Sequence, residues 1–128
     1  MMAACAQSYG GPDVIALEQV PLPAAKRGHA RISVNAAAVT RGDARIRSAM
    51  APAGMSVGLR LAFGIRRPRQ PVLGMFFSGT LEEAVAGMEP GTRVFGNTGM
   101  AMGAHAQHLT IASDRIVAIP DDLELDDT

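Results

Sequence analysis

The sequence is poor in cysteine, in aromatic rings and in net charge, and each shortage removes a class of function. Cys5 is the single cysteine. It has no partner for an internal disulfide and cannot build a cysteine-rich zinc site, so a reducing, cytoplasmic setting is expected. Tryptophan is absent, tyrosine occurs once, and aromatic residues are 4% of the chain, too few to form platforms on which bases stack. Twelve Lys and Arg side chains balance twelve Asp and Glu. That neutrality speaks against a nucleic-acid partner and against a membrane surface, since both usually select a basic excess. No apolar run approaches the roughly 20 residues of a membrane span, and residues 1–10 lack the basic-then-apolar order of a secretory signal. Phosphate-binding fingerprints are missing as well. Neither G-x-G-x-x-G nor G-x-x-x-x-G-K occurs.

What is present suits a folded domain. The 128 residues leave room for one domain, 1–128, and 48% of them are hydrophobic, enough for a real core. Short extended segments alternate with Gly and Pro. Residues 13–20 follow the turn Gly10-Gly11-Pro12 and stop at Pro21-Leu22-Pro23. Residues 30–38 alternate with period two: Ile32, Val34 and Ala36 on one side, Arg31, Ser33 and Asn35 on the other. Residues 72–81 read as extended, interrupted by Gly74 and Gly79, and residues 93–95 follow the turn Glu89-Pro90-Gly91. Residues 105–111 and 115–119 read as a strand pair around Ala112-Ser113-Asp114. Residues 43–50 read as a helical turn with Ile46 and Met50 stacked, and the apolar segment 55–65 as a short helix or a lid-like loop. Such a run of short strands predicts a mainly β fold, a small barrel or sandwich. The tail 121–128 carries five acids and is expected to be a solvated end.

Several segments, in order, resemble one family. Tyr9-Gly10-Gly11-Pro12-Asp13-Val14 with Leu17-Glu18-Gln19-Val20-Pro21 is similar to the start of quinone-oxidoreductase-like enzymes. Ala36-Ala37-Ala38-Val39-Thr40-Arg41-Gly42-Asp43 resembles their motif of a short polar residue and an Asp after the second barrel strand. The run from Phe63 to Gly74, Pro90-Gly91-Thr92-Arg93-Val94-Phe95-Gly96 and Gly103-Ala104-His105-Ala106-Gln107-His108 resemble further segments of the same family. The likeness is to the N-terminal domain of zinc-independent medium-chain dehydrogenase/reductases. It implies a GroES-like, partly open β-barrel with one or two short helices. The Rossmann domain of full-length relatives would follow Ile119-Pro120-Asp121-Asp122-Leu123 and is expected to be absent from this chain. Two departures stand out. The stretch between Gly79 and Gly91 is shorter than usual, and Phe76 stands where relatives carry an acid.

The resemblance implies no zinc. Zinc-dependent relatives take ligands at positions matching Thr40, Met75 and Phe76, and none of these is a good zinc ligand. His105 and His108 have an H-x-x-H spacing, but an odd separation on a strand sends them to opposite faces. His29 reads as a turn residue. The resemblance also implies an NADPH cofactor, a small-molecule carbonyl or enone substrate, and a cleft lined by Thr40, Asp43 and the glycine-rich loop around Met100, although that loop reads more simply as a connection between strands. Thr40 offers a hydroxyl that can orient an amide or carbonyl. Asp43 is at least as well explained as a helix cap, and Arg47, four residues on, is placed to pair with it. Arg60, Arg66, Arg67 and Arg69 form a basic cluster that meets an anion or, more simply, water; Pro68 and Pro71 are expected to keep that segment extended and exposed. Two functions remain open. One is the substrate-side part of an NAD(P)H-dependent oxidoreductase, incomplete without a Rossmann-domain partner. The other is a stand-alone interaction module that covers its exposed face by self-association or by capturing such a partner.

Overall fold

Short alternating segments bounded by Gly and Pro become seven short strands in a computed structural model, which describes residues 1–24, 26–49 and 54–123. In chain order they are β1 (Met2–Ala6), β2 (Ile15–Gln19), β3 (His29–Ala37), β4 (Phe76–Leu81), β5 (Arg93–Asn97), β6 (His108–Ala112) and β7 (Ile116–Ala118). Two helices lie between β3 and β4: α1 (Arg41–Ser48) and α2 (Met55–Phe63). The expected mainly β fold with short helices is therefore what forms. The strand expected over 13–20 begins only at Ile15, because Pro12–Val14 make a 3-10 turn. β1 lies in an Ala-rich segment with little strand propensity, and it forms through tertiary pairing. Ala4 N–H donates to the His105 carbonyl at 2.9 Å and Ala6 N–H to the Pro71 carbonyl at 2.8 Å.

β1 and β2 form an antiparallel pair, and the other five strands form one antiparallel sheet in the order β6-β3-β4-β5-β7. The strands expected to pair around residues 112–114 do not pair. β6 lies on β3 and β7 on β5, at opposite edges of the sheet. Only a 3-10 turn, Ser113–Arg115, separates them. Four strand spacings laid flat would span roughly 19 Å, whereas the step from Ala112 to Ile116 reaches at most about 14 Å. The sheet must therefore curl until its edges approach, and this curl makes the half-barrel.

The inward face of the barrel carries Ile32, Phe77, Leu81, Val94, Leu109, Ile111 and Ile116, all buried. The expected alternation along β3 holds only to Val34. The register against β4 shifts between Val34 and Ala36, so Asn35 is an extra residue and Ala37, not Ala36, packs toward the core. The short stretch between β4 and β5 is closed by a tight turn in which Val85 and Met88 exchange both backbone hydrogen bonds, at 3.1 and 2.9 Å.

α1 packs through Ile46 against Ala6, Leu73 and Met102; Met50, expected to stack with Ile46, lies outside the described residues. α2 is a helix, yet it buries none of its residues, and Met55, Val57 and Leu61 are each at least 60% exposed. At the end of the chain Asp121, Asp122 and Leu123 are exposed, and residues 124–128 of the acidic tail lie outside the described residues. No helix among the described residues is long and apolar enough to cross a membrane.

Candidate functional site

Thr40 leaves β3 and starts α1, and the sequence T-x-x-D dictates how. Thr40 is the N-cap residue and Asp43 stands at the third helical position. Asp43 N–H donates to Thr40 Oγ1 at 3.3 Å, and Thr40 N–H donates to Asp43 Oδ2 at 2.8 Å. The pair satisfies donors that a helix start otherwise leaves open. The Thr40 hydroxyl also donates to Asp43 Oδ2, at 2.7 Å.

Asp43 does more than cap. It is 2% exposed, and its second oxygen, Oδ1, accepts from Gly74 N–H at 3.2 Å. The expected ion pair with Arg47 does not form, because Arg47 Nε turns to the Gly10 carbonyl at 3.4 Å. With both oxygens engaged, Asp43 is a structural tie between α1 and the segment ahead of β4.

That segment is where the expected strand over 72–81 breaks. Gly74 has φ +97°, a left-handed conformation that glycine adopts without penalty. A Cβ at Gly74 would come within 2.6 Å of the His105 ring and 2.9 Å of His105 N, so the close approach also requires glycine. The Gly74 carbonyl accepts from Thr98 Oγ1 at 3.1 Å and from Ala104 N–H at 3.2 Å. His105 Nε2 lies 3.2 Å from the Ala38 carbonyl. Gly74, Thr98 and His105 thus join Thr40 and Asp43 in one hydrogen-bonded junction. Sequence reasoning missed this role for the three. Its trace in the sequence is only an interrupted strand at Gly74.

Met75 and Thr40 both lie close to Gly42, in the first turn of α1. A Cβ on Gly42 would meet Met75 Cε at 2.7 Å and Thr40 Oγ1 at 3.3 Å. Phe76 follows, 44% exposed. Met100 rides on the 3-10 turn Gly99–Ala101, directly after Thr98; the loop is tied to the junction, but the Met100 side chain is 67% exposed. His105 and His108 have separate partners. His108 Nδ1 lies 2.5 Å from Glu82 Oε1, while Arg31 Nε donates to Glu82 Oε2 at 2.5 Å and Arg31 also reaches Glu83 at 2.7 Å. Among the described residues no group of three His, Cys, Asp or Glu side chains is placed to share a metal ion.

Beside the junction lies an outward apolar sheet face. Ala36, Ser78, Phe95 and Val117 stand opposite one another across β3, β4, β5 and β7, and Phe76 is two residues from Ser78 on the same face. Phe95 is 52% and Val117 57% exposed.

The fold recurs in solved structures. The quinone oxidoreductase from Coxiella burnetii superposes with a TM-score of 0.79 at 24% identity, over 97% of this chain and 38% of that one. 2-Haloacrylate reductase matches with a TM-score of 0.74 at 25% identity, over 99% of this chain and 34% of that one. A mycobacterial protein solved in complex with NADPH matches with a TM-score of 0.71 at 23% identity, over 97% and 35%. The fold is GroES-like, as in the N-terminal part of such medium-chain oxidoreductases. This GroES-like chain spans little more than a third of the length of the structures it matches. No family model matches the sequence, and no curated protein matches it. In the GroES-like frame, Thr40, Asp43 and Gly74 sit at a junction of helix and sheet, with Phe76 leading onto the apolar face.

Proposed function

We propose that this chain is the substrate-side domain of an NAD(P)H-dependent oxidoreductase that reduces a carbonyl or an activated double bond without zinc. The observation that supports this reading most is a match over nearly the whole of this chain to about a third of oxidoreductases such as the quinone oxidoreductase. On this reading Thr40 and the loop carrying Met100 form one wall of a cleft, and buried Asp43 holds Thr40 in place behind it. A Rossmann-type domain, in the same protein or in a separate chain, forms the other and supplies most of the nucleotide affinity.

The residues present suit the nicotinamide end of such a cofactor. The Thr40 hydroxyl already donates its hydrogen bond to Asp43 Oδ2 and accepts from Asp43 N–H. One lone pair remains, so Thr40 can accept from a carboxamide N–H but cannot donate to a substrate carbonyl. Phe76, whose carbonyl accepts from Ala38 N–H two residues before Thr40, offers an exposed apolar ring. When bound, the cofactor supplies the hydride, and this domain orients the reactants and keeps water out. The pyrophosphate does not fit α1. Its first turn is already closed by the Asp43 carboxylate, which occupies the place an anion would take.

A second reading, a stand-alone interaction module, is favoured by the exposed face around Phe76, Phe95 and Val117. Calorimetric titration separates the two. The isolated chain is expected to bind NADPH very weakly or not detectably and to show no reductase turnover, because a few exposed contacts do not offset the cost of immobilising the ligand. Mixed with a Rossmann domain from a relative, it is expected to bind NADPH and turn over. Micromolar binding by the chain alone would overturn this division of labour, and silence in both experiments would favour the interaction module.

A further inference from the structure

The basic cluster has no role in the proposed cleft. Arg66, Arg67 and Arg69 line a cavity of about 600 Å³ that also takes in Gln7 and Glu18, and none of the cleft residues named above borders it. All three arginines are exposed. Among the described residues none of them is within ion-pair distance of a carboxylate, and Glu18 is the single acid on the cavity wall.

The arginines are exposed as expected, but the segment is not extended. Arg69 N–H donates to the Phe63 carbonyl at 2.6 Å, and Gly64 N–H to the Arg60 carbonyl at 2.8 Å, so the chain closes on itself at the end of α2. The Tyr9 hydroxyl donates to the Gly64 carbonyl at 2.6 Å. Pro68 is buried. Gly64 has φ +125°, and a Cβ there would lie 2.0 Å from the Arg67 carbonyl oxygen, so the tight loop demands glycine. Three guanidiniums therefore project from a backbone pinned at both ends. Like charges gathered around one cavity repel one another, and a bound anion relieves that repulsion. Planar guanidinium forks match the paired oxygens of an oxyanion better than ammonium groups do.

We propose that this cavity binds a small ligand through a phosphate-type oxyanion, carried by a phosphate ester or as free phosphate. The site is separate from the Thr40 cleft and does not depend on the oxidoreductase reading. Amide NMR shifts of the full chain, titrated at constant ionic strength with pyrophosphate, inorganic phosphate and phenyl phosphate, test it. Saturable shifts are expected at Gln7, along 64–67 and at Arg69. In a variant carrying Arg66→Gln, Arg67→Gln and Arg69→Gln they should weaken roughly tenfold or more, with the rest of the spectrum unmoved. The single variant Arg67→Gln, read in the same way, serves if the triple variant unfolds. Tighter binding of phenyl phosphate than of phosphate would identify an ester as the ligand; equal binding would identify the free oxyanion. Shifts that never saturate, or that persist unchanged in the variants, would overturn the proposal. So would a preference for a single-stranded oligonucleotide over pyrophosphate, which would make the cluster a polyanion patch.

Discussion

Asp43 receives three hydrogen bonds while almost fully buried: from Thr40 N–H, from the Thr40 hydroxyl and from Gly74 N–H. Removing its carboxylate leaves those donors without a partner where water cannot readily replace it. Asp43→Ala is therefore expected to cost about 3 kcal/mol, a lost cap plus buried unpaired donors. Urea unfolding measures it, and a cost under about 1 kcal/mol would mean that the tie to Gly74 contributes nothing. A second residue-scale effect concerns acid. Burial pushes the Glu82 carboxyl up, but hydrogen bonds and charge from Arg31 and His108 outweigh it, and the net displacement is below the ordinary 4.5. A carboxylate depressed in the folded state stabilises the protein above its unfolded pKa, and that contribution is lost as pH falls through the lower folded value. Stability should accordingly decline as pH drops below about 4.5. Glu82→Gln should flatten that part of the curve of thermal midpoint against pH; an unchanged acid limb would assign the loss to other groups. A capping role for Asp43 was legible, but the helix starts two residues earlier than the sequence suggested, with Thr40 as the N-cap and Asp43 at the third helical position. The link to Gly74 was not legible, because it joins positions 31 residues apart.

At the scale of elements, legibility followed the distance over which each element is specified. β3 and β5 were readable because alternation and flanking turns are local, and both formed close to their expected bounds. The bulge at Asn35 left no mark in the hydrophobic pattern, since Ala36 and Ala37 are equally apolar and only the register against β4 distinguishes them. β1 was invisible because Ala and Met carry little strand preference, and its partners are β2 on one side and the distant residues 71 and 105 on the other. The pairing of β6 with β7 was misread for a related reason. Nearness in sequence favours a hairpin, but each strand found a partner elsewhere, on β3 and on β5. α2 shows the opposite case. Its apolar composition was plain in the sequence, whereas an apolar helix with no buried residue is a property of the surroundings.

At the scale of the whole molecule, the resemblance read from scattered motifs pointed to the GroES-like fold, and no single motif would have done so. The same motifs said little about what covers the outer sheet. An antiparallel sheet that faces water normally alternates apolar inside with polar outside. Here the outward row of Ala36, Ser78, Phe95 and Val117, with Phe76 beside it, is largely apolar, and its large members are about half exposed. On the proposed reading this face borders the cleft and carries the contact with the nucleotide-binding domain. Phe95 is the residue to change. It lies between Ser78 and Val117 in the row and far from the Asp43 tie in sequence, and at 52% exposure it contributes modestly to the barrel itself. Phe95→Ser should shift folding stability by no more than about 1 kcal/mol, since half of the ring is already in water. Association with a Rossmann-domain chain should weaken by at least about tenfold, as expected when an aromatic anchor is truncated at an interface centre. Sedimentation of the chain alone and of the mixture reads both properties. If the variant stays folded and the complex is as tight as before, the docking face lies elsewhere, and exposed α2 with Val57 and Leu61 becomes the surface to test. If Phe95→Ser instead dissolves a dimer of the isolated chain, the same face joins two copies, and the interaction-module reading gains over the split oxidoreductase.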